Sequence, residues 1–322
     1  MTNLLTRGLA AAALCAAATL AHADYPDHAL RLVVPFPPGG NIDATARIVA
    51  NGLAAVLGQP VVVDNRAGAA GILGSDMVAK APADGYTLLL ASSGALAPAK
   101  ALNPAMALDP VKDFAAAGPI ARAPLLLVVN PALPVQNVAQ LIAYAKARPG
   151  KLTVASSGTG TAAHLTAELF QTQSGTKMLH VPYKGSGPAI ADLLGGQVDL
   201  IFDQPASALA QVNAGKLRAL GVTTAKRSVV APQLPTLAET GLPGFESSTT
   251  TGLLFPAGTP PAIVARMNAA LVQVLRLPDT QKKFEALGSD VVEGSGADFE
   301  RVVRAEVAKW TRVVQDAGIK LP

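Results

Sequence analysis

Two segments of the chain could bind a small anion, because each runs from an apolar strand through a glycine-rich turn into a helix. The first segment is residues 31–43 (RLVVPFPPGGNID), and the second is residues 151–164 (KLTVASSGTGTAAH). Such a turn presents free backbone N–H groups at the positive end of a helix dipole, where negative charge is stabilised. In α/β proteins these turns lie at the carboxyl edge of the sheet, where ligands bind. Two of them predict a site that holds an anion from two sides.

The elements that would position these turns alternate between apolar strand-like runs and amphipathic helical patterns. The helix after the first turn carries its apolar residues on one stripe and ends at Gly58. The predicted strands are 30–36, 60–64, 86–91, 125–129, 152–155, 178–183, 198–202, 217–223 and 252–255. The predicted helices are 42–57, 135–146, 162–172, 187–194, 205–214, 261–277 and 298–317. Strands separated by helices favour an α/β fold with doubly wound, mostly parallel sheets.

Two segments have the features of crossovers between domains. One is residues 122–131, and the other is residues 223–258, which are dense in proline and threonine. If both are hinges, the predicted domains are a signal peptide at 1–23, a first lobe of 24–122 plus 245–322, and a second lobe of 123–244. Two crossovers of this kind place a cleft between the lobes and permit closure.

Residues 1–23 have the pattern of a secretory signal peptide. Arg7 precedes an apolar, alanine-rich run from Gly8 to Leu20, and Ala21-His22-Ala23 follows as a small-x-small cleavage site. The apolar run is shorter than the roughly 20 residues that a membrane span needs. We therefore expect cleavage after Ala23 and a periplasmic protein without a membrane anchor. Since Cys15 is the only cysteine, the mature chain would contain no thiol.

The composition argues against a nucleic-acid partner. The formal net charge is only +4, and the basic residues are scattered, with Lys282-Lys283 as the longest cluster. Aromatic residues make up 4% of the chain, which is too few to build a platform for stacking bases or sugars. The expected partner is a small molecule, and an anion fits the two turns.

An enzyme is the competing class. The chain has no Gly-x-Ser-x-Gly, Gly-x-x-x-x-Gly-Lys-Ser/Thr, His-Glu-x-x-His or Gly-x-Gly-x-x-Gly sequence. Ser186 with His180 or His164 and Asp203 could form a hydrolytic triad, but this serine lacks the context of a nucleophile elbow. We expect no catalysis, no cofactor and no metal ion.

The ordered motifs of the chain resemble those of the substrate-binding proteins of tripartite tricarboxylate transporters, the Bug receptors. The matching segments are 34–40 (VPFPPGG) with Asp43 and Arg47, 57–66 (LGQPVVVDNR), 84–88 (DGYTL), 109–114 (DPVKDF), 180–189 (HVPYKGSGPA), 234–244 (LPTLAETGLPG), 256–260 (PAGTP) and 310–320. They cover essentially the whole mature chain. The resemblance implies a two-lobed, type II periplasmic binding fold of the Venus-flytrap kind, in which each lobe is a mostly parallel sheet flanked by helices.

The resemblance also implies which residues contact the ligand. The turns Pro38–Asn41 and Ser156–Thr161 would hold a carboxylate through backbone N–H groups, hydroxyls and ordered water. Residues 183–185 would form a third loop, Asp203 a fourth, and Ser92 and Ser93 would face the cleft from the first lobe. The expected ligand-binding residues are Phe36, Pro38, Gly39, Gly40, Asn41, Asp43, Ser92, Ser93, Ser156, Gly158, Thr159, Thr161, His164, Tyr183, Lys184, Gly185 and Asp203.

Several of these residues also have a structural interpretation. Asp43 lies in the first turn of a helix, so it is expected to cap that helix, with contact to a ligand amine as the alternative. His164 could donate to a ligand carboxylate or could pack and cap. His180 is expected to be structural. The role of Lys184 in the pocket is a hypothesis, because a lysine at this position is solvated when the lobes are open.

The chain departs from the family pattern at three places. Ile42 replaces the threonine that usually precedes the aspartate, Leu96–Lys100 replaces a frequent His-Ala-Ile-Asn-Pro run, and Thr249–Thr251 replaces an aromatic residue that is common before Gly252. The pocket is therefore expected to be less polar near Ile42 and roomier near the threonines.

The resemblance implies an extracytoplasmic receptor that delivers a small organic carboxylate or amino acid to the permease subunits of a tripartite tricarboxylate-type transporter. The alternative is a ligand sensor that docks on a sensor kinase, and a periplasmic hydrolase is less favoured. Both receptor types share one step, because a ligand that binds the closed state more tightly than the open state drives closure. We expect a monomer.

Overall fold

The computed structural model describes residues 25–319, which form eleven strands and ten α-helices. The strands are β1 Leu30–Val34, β2 Val61–Asn65, β3 Thr87–Ser92, β4 Phe114–Pro124, β5 Leu126–Val129, β6 Thr153–Ser156, β7 Leu179–Pro182, β8 Leu200–Asp203, β9 Arg218–Val222, β10 Ser248–Pro256 and β11 Asp290–Val291. The helices are α1 Asn41–Leu57, α2 Ile72–Ala79, α3 Ser93–Leu102, α4 Val138–Lys146, α5 Ala162–Ser174, α6 Ser186–Leu194, α7 Pro205–Asn213, α8 Pro261–Leu275, α9 Pro278–Ala286 and α10 Gly296–Ala317. The predicted signal peptide, with its cleavage site and Cys15, lies outside the described residues.

The strands form two sheets. The first has six strands in the order β11-β4-β10-β3-β1-β2, and the second has five in the order β7-β6-β8-β5-β9. In each sheet three adjacent strands are parallel, namely β3-β1-β2 and β7-β6-β8. The remaining pairs are antiparallel. The predicted α/β fold with two sheets and flanking helices is confirmed, and its pairing is more mixed than expected because the strands that cross between the sheets run antiparallel to their neighbours.

Both faces of each sheet are covered, because successive side chains of a buried strand point to opposite sides. On β1, Leu32 packs in a cluster with α1 and α8, while Val33 packs in a cluster with α2 and α10. On β5, Leu127 packs beneath α4 and α5, and Leu126 packs beneath α6 and α7. All four side chains are fully buried, and each contributes roughly 1.5–3 kcal/mol to folding.

The chain crosses between the sheets twice, and the two crossings are hydrogen-bonded to each other. Strands β4 and β5 are separated by Leu125 alone, and residues 223–247 connect β9 to β10. The buried Thr223 Oγ1 accepts from Leu125 N at 2.9 Å and donates to Ser247 O at 2.6 Å. The Ser247 hydroxyl in turn bonds Thr166 on α5 at 2.6 Å. Thr223 and Ser247 therefore fix the two crossings side by side.

The C-terminal helix α10 packs against both sheets. It begins with a capping box in which Ser295 and Asp298 each accept from the other's backbone N–H. Phe299 packs in a cluster of the first sheet, whereas Trp310 and Val313 pack in the core of the second. A helix of 22 residues spans about 33 Å, which is long enough to cover both. The helix therefore contacts the buried cores of both sheets.

Five elements, β4, β11, α2, α3 and α9, are absent from the predicted set. Strand β4 is alanine-rich and contains Gly118 and Pro119, which are unfavourable within a strand. Pro119 is tolerated because it lies beside a register shift opposite Gly252. A Cβ at Gly252 would lie 2.4 Å from the Phe299 ring, so glycine is required there. Helix α3 contains Pro98, and because proline is unfavourable inside a helix, the sequence pattern did not predict this helix.

Among residues 25–319, no helix is both long and apolar enough to cross a membrane.

Candidate functional site

A cavity of about 620 Å³ lies between the two sheets and is lined by residues attached to both. On the side of the first sheet its lining includes Phe36, Ile42, Ile72, Ser92, Ala95, Met106 and Thr249. On the side of the second sheet it includes Thr159, Gly160, Thr161, Ala162 and Gln204. A volume of this size is typical of small-molecule sites. The carboxyl ends of β1, β3 and β6 lead into it, as expected for ligand sites in α/β folds.

The second glycine-rich turn, between β6 and α5, lines the cavity and is held by its own side chains. The buried Ser156 Oγ accepts from Gly158 N at 3.2 Å and bonds His180 Nε2 at 2.7 Å. Thr161 Oγ1 donates to Gly158 O at 2.7 Å and, as the N-cap of α5, accepts from His164 N at 3.4 Å. Ser156 therefore supports the turn from the protein interior, while Thr159, Gly160 and Thr161 line the cavity.

His164 supports the same turn and is not among the residues that line the cavity. Its Nδ1 accepts from Gly160 N at 3.1 Å, and its ring stacks on His180 with centroids 3.9 Å apart. The side chain is 5% exposed, and burial, with a smaller effect of His180, lowers the pKa of His164 to about 4. The neutral ring therefore carries its proton on Nε2, which lies 3.7 Å from Glu168 Oε1. Of the two predicted roles for His164, packing and capping describes the contacts in the structure.

The first glycine-rich turn, between β1 and α1, is held by Asp43. This carboxylate is 3% exposed and accepts from Gly39 N at 2.9 Å, Arg47 Nε at 3.0 Å and Asn65 Nδ2 at 3.0 Å. The hydrogen bond from Arg47, together with those from Gly39 and Asn65, lowers the pKa of Asp43 to about 2 despite its burial. These contacts hold the turn that precedes α1 and pair Asp43 with Arg47. Residues 38–40 are exposed and do not line the cavity.

Asn41 and Gln204 join the two sides of the cleft. Asn41 Nδ2, at the start of α1, donates to Gln204 Oε1 at 3.2 Å. Both residues also line a smaller cavity next to the main one. Gln204 is absent from the predicted residues, although its position directly after β8 and before α7 was a usable signal.

Asp203, the residue predicted at this strand end, is turned away from the cavity. It is buried and accepts from Ser186 Oγ and Ser207 Oγ, both at 2.7 Å. Burial raises the pKa of Asp203, against the effect of the two serine hydrogen bonds. Its carboxylate therefore joins the starts of α6 and α7, and the neighbouring Gln204 is the residue that reaches the cleft.

Ser92 and Ser93 have different environments. Ser92 lines the cavity, whereas Ser93 is fully buried and its hydroxyl accepts from Thr250 N at 3.0 Å. The expectation that both face the cleft is therefore wrong for Ser93. Thr249, one of the residues that depart from the family pattern, lines both cavities. A Cβ at Gly94 would lie 2.5 Å from Thr249 Oγ1, so a side chain at Gly94 would displace this hydroxyl.

The predicted third loop supports the second turn and does not line the cavity. Tyr183 N donates to Ser156 O at 3.0 Å, and Gly185 N donates to Ser157 O at 3.1 Å. The Tyr183 hydroxyl donates to Asp192 at 2.7 Å, and its ring packs against the core cluster that includes Ala189 and Ile190. Lys184 is exposed and lies outside the lining.

Helix α3 supplies cavity residues that sequence reasoning missed. Ala95, Ala99 and Leu102 recur at helical spacing and line the cavity, and Met106 follows in the next loop. The signal that could have revealed them is the apolar residue at every third or fourth position of this segment. Pro98 and the small alanine side chains weakened it.

The hydrolytic triad considered from the sequence does not form. Ser186 Oγ bonds Asp203, and His180 bonds Ser156 instead of Ser186. Ser156 is fully buried, so this serine and histidine pair offers no exposed nucleophile. Within the described part of the chain, no group of three His, Cys, Asp or Glu side chains could hold a metal ion.

Comparison with known proteins gives a consistent family of matches. The profile of the tripartite tricarboxylate transporter family receptor matches residues 45–319. The protein BugT of Bordetella pertussis is 40% identical over 323 residues, covering 100% of this chain and 99% of its own. Rpa4515 of R. palustris, solved with adipate, is 41% identical with a TM-score of 0.80, covering 92% of this chain and 99% of its own. MatC from Rhodopseudomonas palustris, solved with bound malate, is 34% identical with a TM-score of 0.77, covering 90% and 100%.

Proposed function

The chain belongs to the tripartite tricarboxylate transporter receptor family, and we propose that it binds a small carboxylate in the cavity between its sheets and delivers it to a transporter of that type. The observation that carries this proposal is the cavity of about 620 Å³, which both sheets line. The similar proteins solved with adipate and with malate support a carboxylate as the ligand.

The second turn is the proposed anchor for the carboxylate. Thr159, Gly160, Thr161 and Ala162 line the cavity at the start of α5, where backbone N–H groups and the helix dipole favour negative charge. The hydroxyl of Thr159, which also lines the cavity, can add a hydrogen bond. No cationic side chain is then needed, because dipoles fixed in place stabilise the charge.

Closure of the cleft is the proposed step that signals binding. We propose lobes built on the two sheets, with residues 24–122 plus 245–322 in one and 123–244 in the other. The hydrogen bond from Asn41 to Gln204 spans the cleft, so a ligand held by both sides would favour the closed arrangement. The paired crossings at Thr223 and Ser247 are the proposed hinge.

We further propose that residues 1–23 are a signal peptide cleaved after Ala23, and that the mature chain acts in the periplasm as a monomeric receptor without catalysis. The pattern of Arg7, the apolar run and the small-x-small site supports export. Receptors of this family imply permease subunits as the partners that accept the ligand.

A thermal-shift and calorimetric screen with organic acids tests the proposal. A true ligand at a hundredfold excess over its dissociation constant stabilises the folded state by about 2.7 kcal/mol. A screen in which no carboxylate binds, while sugars or cations do, would contradict it.

A variant pair tests the anchor. Ala162→Asp places a negative charge at the start of α5 and in the lining of the cavity. The charge suits a helix N-terminus, so we expect unchanged stability and at least a tenfold loss of affinity for the acid. The control is Ala206→Asp, an exposed position in the first turn of α7 outside the lining, which should retain the affinity.

A further inference from the structure

The residues that line the cavity indicate a narrower class of ligand than small carboxylates in general. We infer that the ligand is an organic acid with an apolar body, an aliphatic or aromatic skeleton that carries no hydroxyl, keto or amino group. This inference rests on the proposed function and narrows its ligand class.

The apolar part of the lining comes from three elements of the first sheet's side. Ile42 on α1 and Ile72 on α2 contribute branched side chains. Helix α3 contributes Ala95, Ala99 and Leu102, which lie on one helical face. Removing water from such a surface favours a ligand that buries carbon atoms against it.

Charged groups do not contribute to this surface. Among the described residues that line the cavity, none is Asp, Glu, Lys, Arg or His. The nearby charges are engaged elsewhere, since Asp43 pairs with Arg47 and Lys100 Nζ donates to Met106 O at 2.9 Å. A ligand amine would therefore be desolvated without a carboxylate to pair with it.

The polar groups of the lining suit the acid end of such a ligand. They are the turn at Thr159–Thr161, the Gln204 amide, and the hydroxyls of Ser92 and Thr249. Thr249 is 4% exposed, and among residues 25–319 no group is hydrogen-bonded to its Oγ1. Because this oxygen is buried, a ligand oxygen can bond it only after the Thr249 side chain turns into the cavity, and that bond would satisfy an otherwise unpaired hydroxyl.

Ile42 is the residue expected to enforce this preference. Its half-buried side chain lines both the main cavity and the smaller one beside Asn41. A hydroxyl on the ligand body that meets an isoleucine loses its bonds to water and gains none. Leaving a polar group unpaired in this way corresponds to a loss of affinity of roughly tenfold.

Calorimetric titration of the purified protein with four compounds tests the inference. Succinate and malate differ by one hydroxyl, adipate extends the apolar body, and adipamide is its uncharged analogue. We expect succinate and adipate to bind at least about tenfold more tightly than malate. Malate binding as tightly as succinate would overturn the inference and leave the carboxylate function standing. No binding of any acid, or equal binding of adipamide and adipate, would overturn the proposed function itself.

A pair of substitutions on α1 provides the second readout. Ile42→Thr adds a hydroxyl to the cavity and should reduce the ratio of succinate to malate affinity several-fold. Ile48→Thr is the matched control, because Ile48 is half-buried on the same helix and lies outside the cavity lining, and the ratio should not change. An unchanged ratio in Ile42→Thr would contradict the role assigned to Ile42.

Discussion

The two glycine-rich turns follow the same strand-turn-helix pattern and are held in different ways. The turn before α5 is fixed by Ser156, Thr161 and His164, which bond its backbone from the protein side and leave residues 159–161 facing the cavity. The turn before α1 is fixed by Asp43 alone among its own side chains, and its residues 38–40 are exposed.

This difference indicates that the two turns have different roles in ligand binding. A site that must hold a carboxylate in a fixed place benefits from a turn whose geometry is set before the ligand arrives. A turn on the opposite side of a cleft that opens and closes needs only to reach the ligand in the closed state, and Asn41 already bonds across the cleft. We therefore propose the turn before α5 as the anchor and the turn before α1 as the closing side.

The largest effect should come from removing the support of the anchor. His164→Ala leaves Gly160 N without its acceptor and creates a void beside His180. We expect a loss of about 3 kcal/mol in the free energy of unfolding, measured by urea denaturation. Asn41→Ala in the other turn is the comparison and should change stability by less than about 0.5 kcal/mol. Equal losses in the two variants would remove the distinction between the turns.

The two turns should also respond to acid in different pH ranges. His164 is neutral in the folded protein, with a pKa of about 4 against 6.5 when exposed, so the unfolded state binds more protons below pH 6.5. Stability should therefore fall as the pH falls from 6.5 towards 4, by about 2 kcal/mol at pH 5. Burial lowers the pKa of His180 as well, which acts in the same direction.

Asp43 affects the stability of the protein in a lower pH range than His164 does. Its pKa is about 2 in the folded protein against 3.8 when exposed, so its contribution is complete above pH 3.8 and is lost as the pH falls towards 2. Protection factors from hydrogen exchange, which correct for the slower intrinsic exchange at lower pH, should fall from pH 7 to pH 5 in the turn before α5 and change little in the turn before α1. The opposite pattern would show that the histidines do not control the anchor.

A smaller effect is expected at the N-cap of α5. Thr161→Ala removes the bonds to His164 N and Gly158 O and should lower stability by about 1 kcal/mol, with a several-fold weaker affinity for the acid. Thr161→Ser keeps the hydroxyl and should retain most of both. Thermal denaturation and calorimetry report the two quantities, and a serine variant as weak as the alanine variant would contradict the capping role.

The smallest predicted effect is a gain in folding stability from a substitution in the turn before α1. Gly40 is the N-cap of α1, has φ −85° and ψ 173°, and makes no side-chain capping bond. A Cβ added at Gly40 would meet no atom within 4 Å. Gly40→Ser should therefore raise stability by a few tenths of a kcal/mol. Destabilisation by this substitution would mean that the turn before α1 is constrained in a way that its contacts do not reveal.

The fold could be predicted well from strand and helix patterns, and the errors of that prediction have identifiable causes. Predicted strands such as 30–36 and 198–202 fall on β1 and β8, because buried branched side chains mark them clearly. Strand β4 and helix α3 were missed because Pro119 and Pro98 break the local preferences that tertiary packing overrides. The dual packing of α10 depends on distances between the sheets, which a local pattern does not contain.

The site could be predicted as segments more readily than as residues. The second turn lines the cavity as expected, yet Ser156 and His164 face the protein interior. At the end of β8, the sequence favoured Asp203 as the ligand-binding residue, but the side chain that lies in the cleft is that of Gln204. Which of two adjacent residues faces a ligand depends on the packing of the following helix, which no motif in the chain specifies.

The most direct test of the anchor is a crystal structure with the acid that gives the largest thermal shift. The account predicts the acid inside the cavity, with a carboxylate within hydrogen-bond distance of the backbone at Thr159–Ala162 and with Phe36 and Ile42 on the opposite side. A carboxylate bound outside this cavity, or one held by a lysine or arginine away from the start of α5, would contradict it.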